Sequence, residues 1–175
     1  HSGEALAPAI VWQCRRSVEI CKRLKSQGLE SEFQTKTGLL CDPYFSASKL
    51  TWWMENCPDI VRAFRQGRGV VGTVDTFLIH RLTAGKAYVS EPSNASRTLL
   101  YNIHTLDWES ELLDSFGVPS LDILPQVLSS VGEFGRTQGL SFLPDGIPIS
   151  GVLGDQQAAL AGQSCFVPGM SKCTY

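Results

Sequence analysis

Short β-branched runs hand over to helical patterns repeatedly along this chain of 175 residues. "AIVW" (9–12) precedes a run over 17–25, "GVVGT" (69–73) precedes "VDTFLIHRL" (74–82), and "IPISGVL" (147–153) precedes "DQQAALAG" (155–162). Alternating strand and helix signals bury their apolar faces best as helices laid on a sheet, so the expected class is α/β. "KAYVS" (86–90) alternates as a further strand would. In the first helical run Val18, Cys21 and Leu24 recur about every three residues, and Gly28 supplies a stop. "SASKLTWWMENC" (46–57) sets Leu50, Trp53 and Met54 on one side, with Ser46 or Ser48 as cap and Pro58 closing it. A third helix is expected over 59–66. "TLDWESELLDSFG" (105–117) reads as one helix with Leu106, Leu112, Leu113 and Phe116 apolar, ended by Gly117 and Pro119. Residues 125–146 turn rich in Gly and Ser and predict irregular surface structure.

The length suits one domain, and 43% apolar residues can build a real core. A formal charge of −2 with scattered basic groups excludes the clustered Lys and Arg that nucleic-acid binding needs. Arg15-Arg16, Lys22-Arg23-Lys25 and Arg62-Arg65-Arg68 read as solvated faces. The six cysteines form no CxxC pair and no Cys/His ligand spacing, so they read as reduced thiols rather than a zinc site or disulfide framework. The sequon Asn94-Ala95-Ser96 is then expected to stay unglycosylated. With no run of about 18 apolar residues and no signal segment, a cytoplasmic location is expected. The chain opens on His1 and stops at "CTY", which reads as an excerpt of a longer protein.

In α/β folds ligands sit where a strand gives way to a helix, and Asp155 occupies that kind of position. Two readings of it stand. It caps the helix, its carboxylate accepting first-turn N–H groups at the positive end of the dipole. Alternatively it takes a proton from a substrate hydroxyl, as a positioned carboxylate does in phosphoryl transfer. Gln156 adds an amide that both donates and accepts, which suits a hydroxyl-bearing ligand. No GxxxxGK[ST] and no GxGxxG occurs, so no phosphate cradle is present in the sequence.

Six segments in order carry a resemblance: "AIVWQCRR" (9–16), "TGLLCDPYFSASKLTWW" (37–53), "GTVDTFLIHRLT" (72–83), "NASRTLLYNIHTLDW" (94–108), "IPISGVLGDQQAALAGQ" (147–163) and "GMSKCTY" (169–175). Along nearly its whole length the chain resembles the FGGY carbohydrate kinase family, and "YFSASKLTWWMEN" (44–56) fits that family's Ser, then Lys-x-x-Trp signature. "DPYF" and "NASRT" are similar to members that phosphorylate glycerol rather than xylulose, ribulose or gluconate. The resemblance implies a ribonuclease-H-like, actin-like ATPase domain, partial, of a two-domain kinase. Residues 1–168 would be the later part of the N-terminal domain and 169–175 the start of the junction to the second domain.

The activity so implied is transfer of the γ-phosphoryl group of ATP, with Mg²⁺, to a terminal hydroxyl of glycerol. Asp155 would be the catalytic base and Gln156 a ligand to a glycerol hydroxyl. Tyr44 would hydrogen-bond glycerol and Trp12 would pack on its carbon backbone. From the residues alone, Trp12 reads as a core aromatic and Tyr44 as a turn residue after Asp42-Pro43. Lys49 and Trp52 are expected to fix helix packing, His80 and His104 to be structural, and Asp75 and Arg97 to be buried partners or surface charges. The family's Asp-x-Gly-Thr turn and Arg-Glu pair would lie before His1, and its Gly-Thr-Gly and adenosine-binding domain after Tyr175. By itself the chain is therefore expected to lack kinase activity and ATP affinity. Two alternatives stay open, an inactive kinase-like binding or regulatory protein and a kinase for another polyol. Expected partners are glycerol, with no nucleic acid and no membrane segment; homo-oligomer formation and mitochondrial association stay open.

Overall fold

A computed structural model of the protein describes residues 2–174. Four helices form the first half: α1 (Val18–Ser26), α2 (Glu30–Thr37), α3 (Ser46–Asn56) and α4 (Pro58–Arg65), followed by α5 (Val74–Leu82). α1 buries Ile20, Cys21 and Leu24, the stripe its spacing predicts. α3 begins at the expected place without either expected cap: Phe45 holds the N-cap position, and the Ser48 hydroxyl instead meets Ser17 Oγ at 2.9 Å in the interior. Pro58 closes α3 by opening α4, where a residue without an N–H costs nothing.

α2 is absent from the sequence reading because its apolar stripe is one side chain wide. Phe33, fully buried, stacks on Phe116 at 4.8 Å between ring centroids and anchors the helix to the main core. That core gathers Ile20, Leu24, Phe33, Leu50, Leu99 and Leu112 with their neighbours.

Strand content is sparser than the sequence reading expects. β1 (Val89–Ser90) pairs in parallel with β4 (Gln126–Val127), and β2 (Tyr101–Asn102) pairs antiparallel with β3 (Asp107–Trp108). The short helices α6 (Pro92–Ala95) and α7 (Ser110–Ser115) and a 3₁₀ turn (Leu121–Ile123) lie between them. Only the end of "KAYVS" is thus a strand. "AIVW" is not one, because the chain turns there, Cys14 N–H donating to Val11 O at 3.1 Å. In residues 69–73 the N–H of Val71 reaches Ile123 O at 2.8 Å, but its carbonyl accepts from the Tyr88 hydroxyl rather than from a strand. The helix expected over 105–117 is shortened to α7. Asn102 Oδ1 accepts the N–H of His104 at 2.9 Å, and Trp108 Nε1 donates to Pro125 O at 2.7 Å, so 105–108 close a hairpin instead.

Residues 130–137 and 147–152 run antiparallel, with Gly132 N–H donating to Ser150 O and Val152 N–H to Ser130 O. The pairing survives only as isolated bridges, Val131 with Gly151 and Arg136 with Pro148. Between them the register shifts, Ile149 O accepting from Phe134 N–H while Ile149 N–H donates to Gly135 O, and Gly135, at φ 137°, is glycine because a Cβ there would stand 2.8 Å from Thr83 Cγ2. This arm packs Phe134, Ile149 and Val152 with Ile79 and Val89 in a second, smaller core. It then delivers the chain into α8 (Asp155–Gly162), which lies where the sequence places it but buries no residue. Among the described residues no helix is long and apolar enough to cross a membrane, and all six cysteines are free.

Candidate active site

The start of α8 is set by the arm before it. Gly154 holds the N-cap position, so Asp155 is the first helical residue rather than the cap. Its Oδ1 still accepts a first-turn N–H, that of Gln156 at 2.7 Å. Among the described residues no donor reaches Oδ2, and the residue is exposed. The Gln156 side-chain oxygen accepts from Lys172 Nζ at 2.6 Å, leaving its amide NH₂ to donate outward.

Trp12 and Tyr44 come together from distant parts of the chain, their rings 5.8 Å apart and tilted by 48°. Neither is core: Trp12 is 60% and Tyr44 44% exposed, so both rings reach the surface. Tyr44 is held from below. Asp42 Oδ1 accepts its N–H at 2.8 Å, and the nearly buried Lys49 donates to its carbonyl at 2.5 Å. Burial pushes the Lys49 ammonium below its ordinary range. Trp52 receives the Arg16 guanidinium over its ring at 4.7 Å. Lys49 thus ties α3 to the turn before it, while Trp52 packs against the main core.

The two groups are joined by residues 91–98, which the sequence reading left without chemistry. Arg97 lies over the Phe45 ring at 4.9 Å and the Tyr44 ring at 5.9 Å, while Ser93 Oγ accepts the N–H of Gly154 at 2.8 Å. No hydrogen bond among the described residues joins Asp155 or Gln156 directly to Tyr44. Asp75, by contrast, is a buried partner of the Ser90 hydroxyl at 2.7 Å. His104 Nε2 lies 2.9 Å from Thr35 O, a structural role.

Glu91 is fully buried with no cation beside it among the described residues, yet its carboxylate accepts five hydrogen bonds. They come from Ser93 N–H and Oγ, Asn94 N–H and Nδ2, and Ser130 Oγ, at 2.5 to 2.9 Å. Burial alone would raise its pKa; the bonds from Ser93, Ser130 and Asn94 outweigh it and hold the carboxyl below the ordinary Glu value. A folded value below the unfolded one stabilises the fold above the ordinary Glu range, about 4.3, and that stability is lost as pH falls through the folded value. Glu91→Gln should therefore flatten the acid limb of stability against pH in urea titrations between about pH 3 and pH 6. An unchanged limb would show that Glu91 is not held ionised by these donors.

No three His, Cys, Asp or Glu side chains converge on a metal position among the described residues. Mg²⁺ is commonly held by substrate phosphates and one or two carboxylates, and the exposed Asp155 alone does not make a metal centre.

The family model for FGGY carbohydrate kinases, N-terminal domain, matches residues 1–162. The chain is 53% identical over 174 residues to a glycerol kinase of Bdellovibrio bacteriovorus and 49% identical over 175 to one of Halothermothrix orenii. It covers 99% and 100% of itself in these matches but only 35% of each relative. A solved glycerol kinase of Plasmodium falciparum with ADP superposes with a TM-score of 0.94 at 37% identity, over 99% of this chain and 34% of that one. A gluconate kinase from Lactobacillus acidophilus, at 26% identity, gives 0.66 over 77% of this chain and 26% of that one. The fold is accordingly the expected α/β, ribonuclease-H-like (actin-like ATPase) domain in part, and the chain spans about a third of the length of the relatives it matches. With the model matched over 1–162 and the fold shared from end to end, the chain belongs to the FGGY family of carbohydrate kinases, within its N-terminal domain.

Proposed function

We propose that the protein containing this chain phosphorylates glycerol with ATP, giving glycerol 3-phosphate and ADP, and that this chain supplies the glycerol-facing side of the cleft. The observation that carries the reading is the start of α8. One oxygen of Asp155 is fixed by the Gln156 N–H while the other accepts no hydrogen bond among the described residues, the arrangement of a base that is oriented and still available. The glycerol kinases at about 50% identity favour glycerol over other polyols. In the proposed step a terminal hydroxyl oxygen attacks the γ-phosphorus, the bond to the bridging oxygen of ADP breaks, and the hydroxyl proton passes to Asp155. Gln156 donates its amide N–H to a glycerol oxygen. Tyr44 hydrogen-bonds a second hydroxyl through its own, and Trp12 covers the carbon backbone. Mg²⁺ would travel with the ATP phosphates. Residues 1–168 would form the later part of the N-terminal domain and 169–175 the start of its junction to a second domain; Tyr175 lies outside the described residues.

The test is ATP-dependent formation of glycerol 3-phosphate by the full-length protein, with xylulose and gluconate as competing substrates. Turnover on glycerol alone supports the reading. Preference for another polyol, or none at all, overturns it. Tyr44→Phe should raise KM for glycerol by about 3- to 10-fold with little change in kcat, the effect of one hydrogen bond shared by ground and transition states. An unchanged KM would remove Tyr44 from the site.

A further inference from the structure

The buried carboxylate of Glu91 is tied to the catalytic turn from both sides. Through Oε2 it accepts from Ser130 Oγ at 2.7 Å, and Ser130 O in turn accepts the Val152 N–H at 3.0 Å. Through Oε1 it accepts from Ser93 Oγ at 2.5 Å, and Ser93 Oγ accepts the N–H of Gly154, the residue before Asp155. The direction of the second chain follows from elementary chemistry. An ionised carboxylate only accepts, so the single hydroxyl proton of Ser93 must point at Glu91, and the lone pairs of Oγ are left for Gly154. A neutral side chain at position 91 would not force that orientation. Gly154 permits the approach, since a Cβ there would stand 3.4 Å from Ser93 Oγ and 2.8 Å from Gln157 Oε1.

We propose that Glu91 and Ser93 are positioning residues that act through Gly154 to aim the Asp155 carboxylate, fixing the first turn of α8 from the buried side. The proposal rests on the reading of Asp155 as base. α8 buries none of its own residues, so its start depends on tethers of this kind rather than on core packing. A base held by a tether loses rate when the tether goes, because misplacement by about 1 Å costs up to about 100-fold in turnover. Glycerol binding through Tyr44 and Trp12 does not run through this tether, and only the Gln156 hydrogen bond does, so affinity is expected to fall by no more than about threefold.

The experiment is steady-state glycerol phosphorylation by the full-length protein, comparing wild type with Ser93→Ala, Ser93→Thr, Asp155→Asn and the double variant Ser93→Ala/Asp155→Asn. Ser93→Ala should lower kcat by roughly 10- to 100-fold with KM for glycerol within about threefold. Ser93→Thr, which keeps the hydroxyl, should restore kcat to within about threefold of wild type. Because Ser93 acts through Asp155, adding Ser93→Ala to Asp155→Asn should cost less than about twofold more. Should the alanine variant fail to fold, Ser93→Cys keeps a side-chain atom in place with a weak donor and acceptor, and carries the same expectation of reduced kcat at unchanged KM. A Ser93→Ala enzyme with wild-type kcat beside a crippled Asp155→Asn overturns the positioning role alone. Losses that multiply in the double variant do the same. Asp155→Asn at wild-type kcat overturns the base assignment itself.

Discussion

Replacing Asp155 by Asn in the full-length protein should lower kcat for glycerol phosphorylation by about 10²- to 10⁴-fold, the usual contribution of a positioned general base. The substitution isolates proton acceptance. Asn keeps the volume of Asp and a carbonyl oxygen that can still accept the Gln156 N–H, now at 2.7 Å from the carboxylate. The first turn of α8 therefore stays formed, and the far-ultraviolet spectrum and denaturation midpoint should match wild type. What disappears is the second carboxylate oxygen, able to take the hydroxyl proton. KM for glycerol should change by less than about threefold, because the base works on the transition state more than on the bound alcohol. A variant within about tenfold of wild-type kcat would return Asp155 to the role of a first-turn acceptor and remove the proposed mechanism.

How far such a site can be read from sequence depends on whether its geometry is local. α1 and α3 were legible because each carries its own apolar stripe and stop signal, and α4, α5 and α8 because a proline opens or an apolar run immediately precedes each. The β-like runs misled, because a strand is a relation between two segments. "AIVW" has the composition of a strand but turns at Val11, whereas 147–152 pairs with 130–137 in two bridges whose register shifts at Phe134–Gly135. The helix expected across 105–117 failed for a similar reason, since Asn102 and Pro125, both outside it, hold 104–108 in a hairpin.

The site divides along the same line. Asp155 stood out at a strand-to-helix handover with Gln156 beside it, but residue patterns left it between cap and base, and Trp12 and Tyr44 were given ligand roles only through family resemblance. Glu91 and Ser93 were missed, and Arg97 was read as a buried partner or surface charge. Their contacts to Ser130, Gly154 and Tyr44 join residues tens of positions apart. The one local signal was an acidic residue before a proline at the start of α6, where Glu91 caps the helix by accepting from Ser93 and Asn94.

The largest loss of stability is expected at a residue the sequence reading passed over. Phe33→Ala should destabilise the protein by about 3–5 kcal/mol, the transfer of a buried aromatic side chain plus the cavity it leaves. Phe33 has no exposed surface and stacks on Phe116, so the space is enclosed and its lining cannot collapse freely. Its helix has little else in the core: of α2 only Phe33 and Thr37 are buried, and the Thr37 hydroxyl bonds back to the Phe33 carbonyl. The helix in turn anchors the β2–β3 hairpin, where Ile103 N–H donates to Lys36 O at 3.0 Å and His104 meets Thr35 O. Loss of the ring should therefore show first as faster hydrogen exchange in α2 and in residues 101–108, with α8 unaffected. Phe33→Leu, which refills most of the volume, should cost less than about 1.5 kcal/mol by urea denaturation. If Phe33→Ala unfolds within about 1 kcal/mol of wild type, or exchange rises equally in α8, then α2 is not the element that fastens the hairpin to the core.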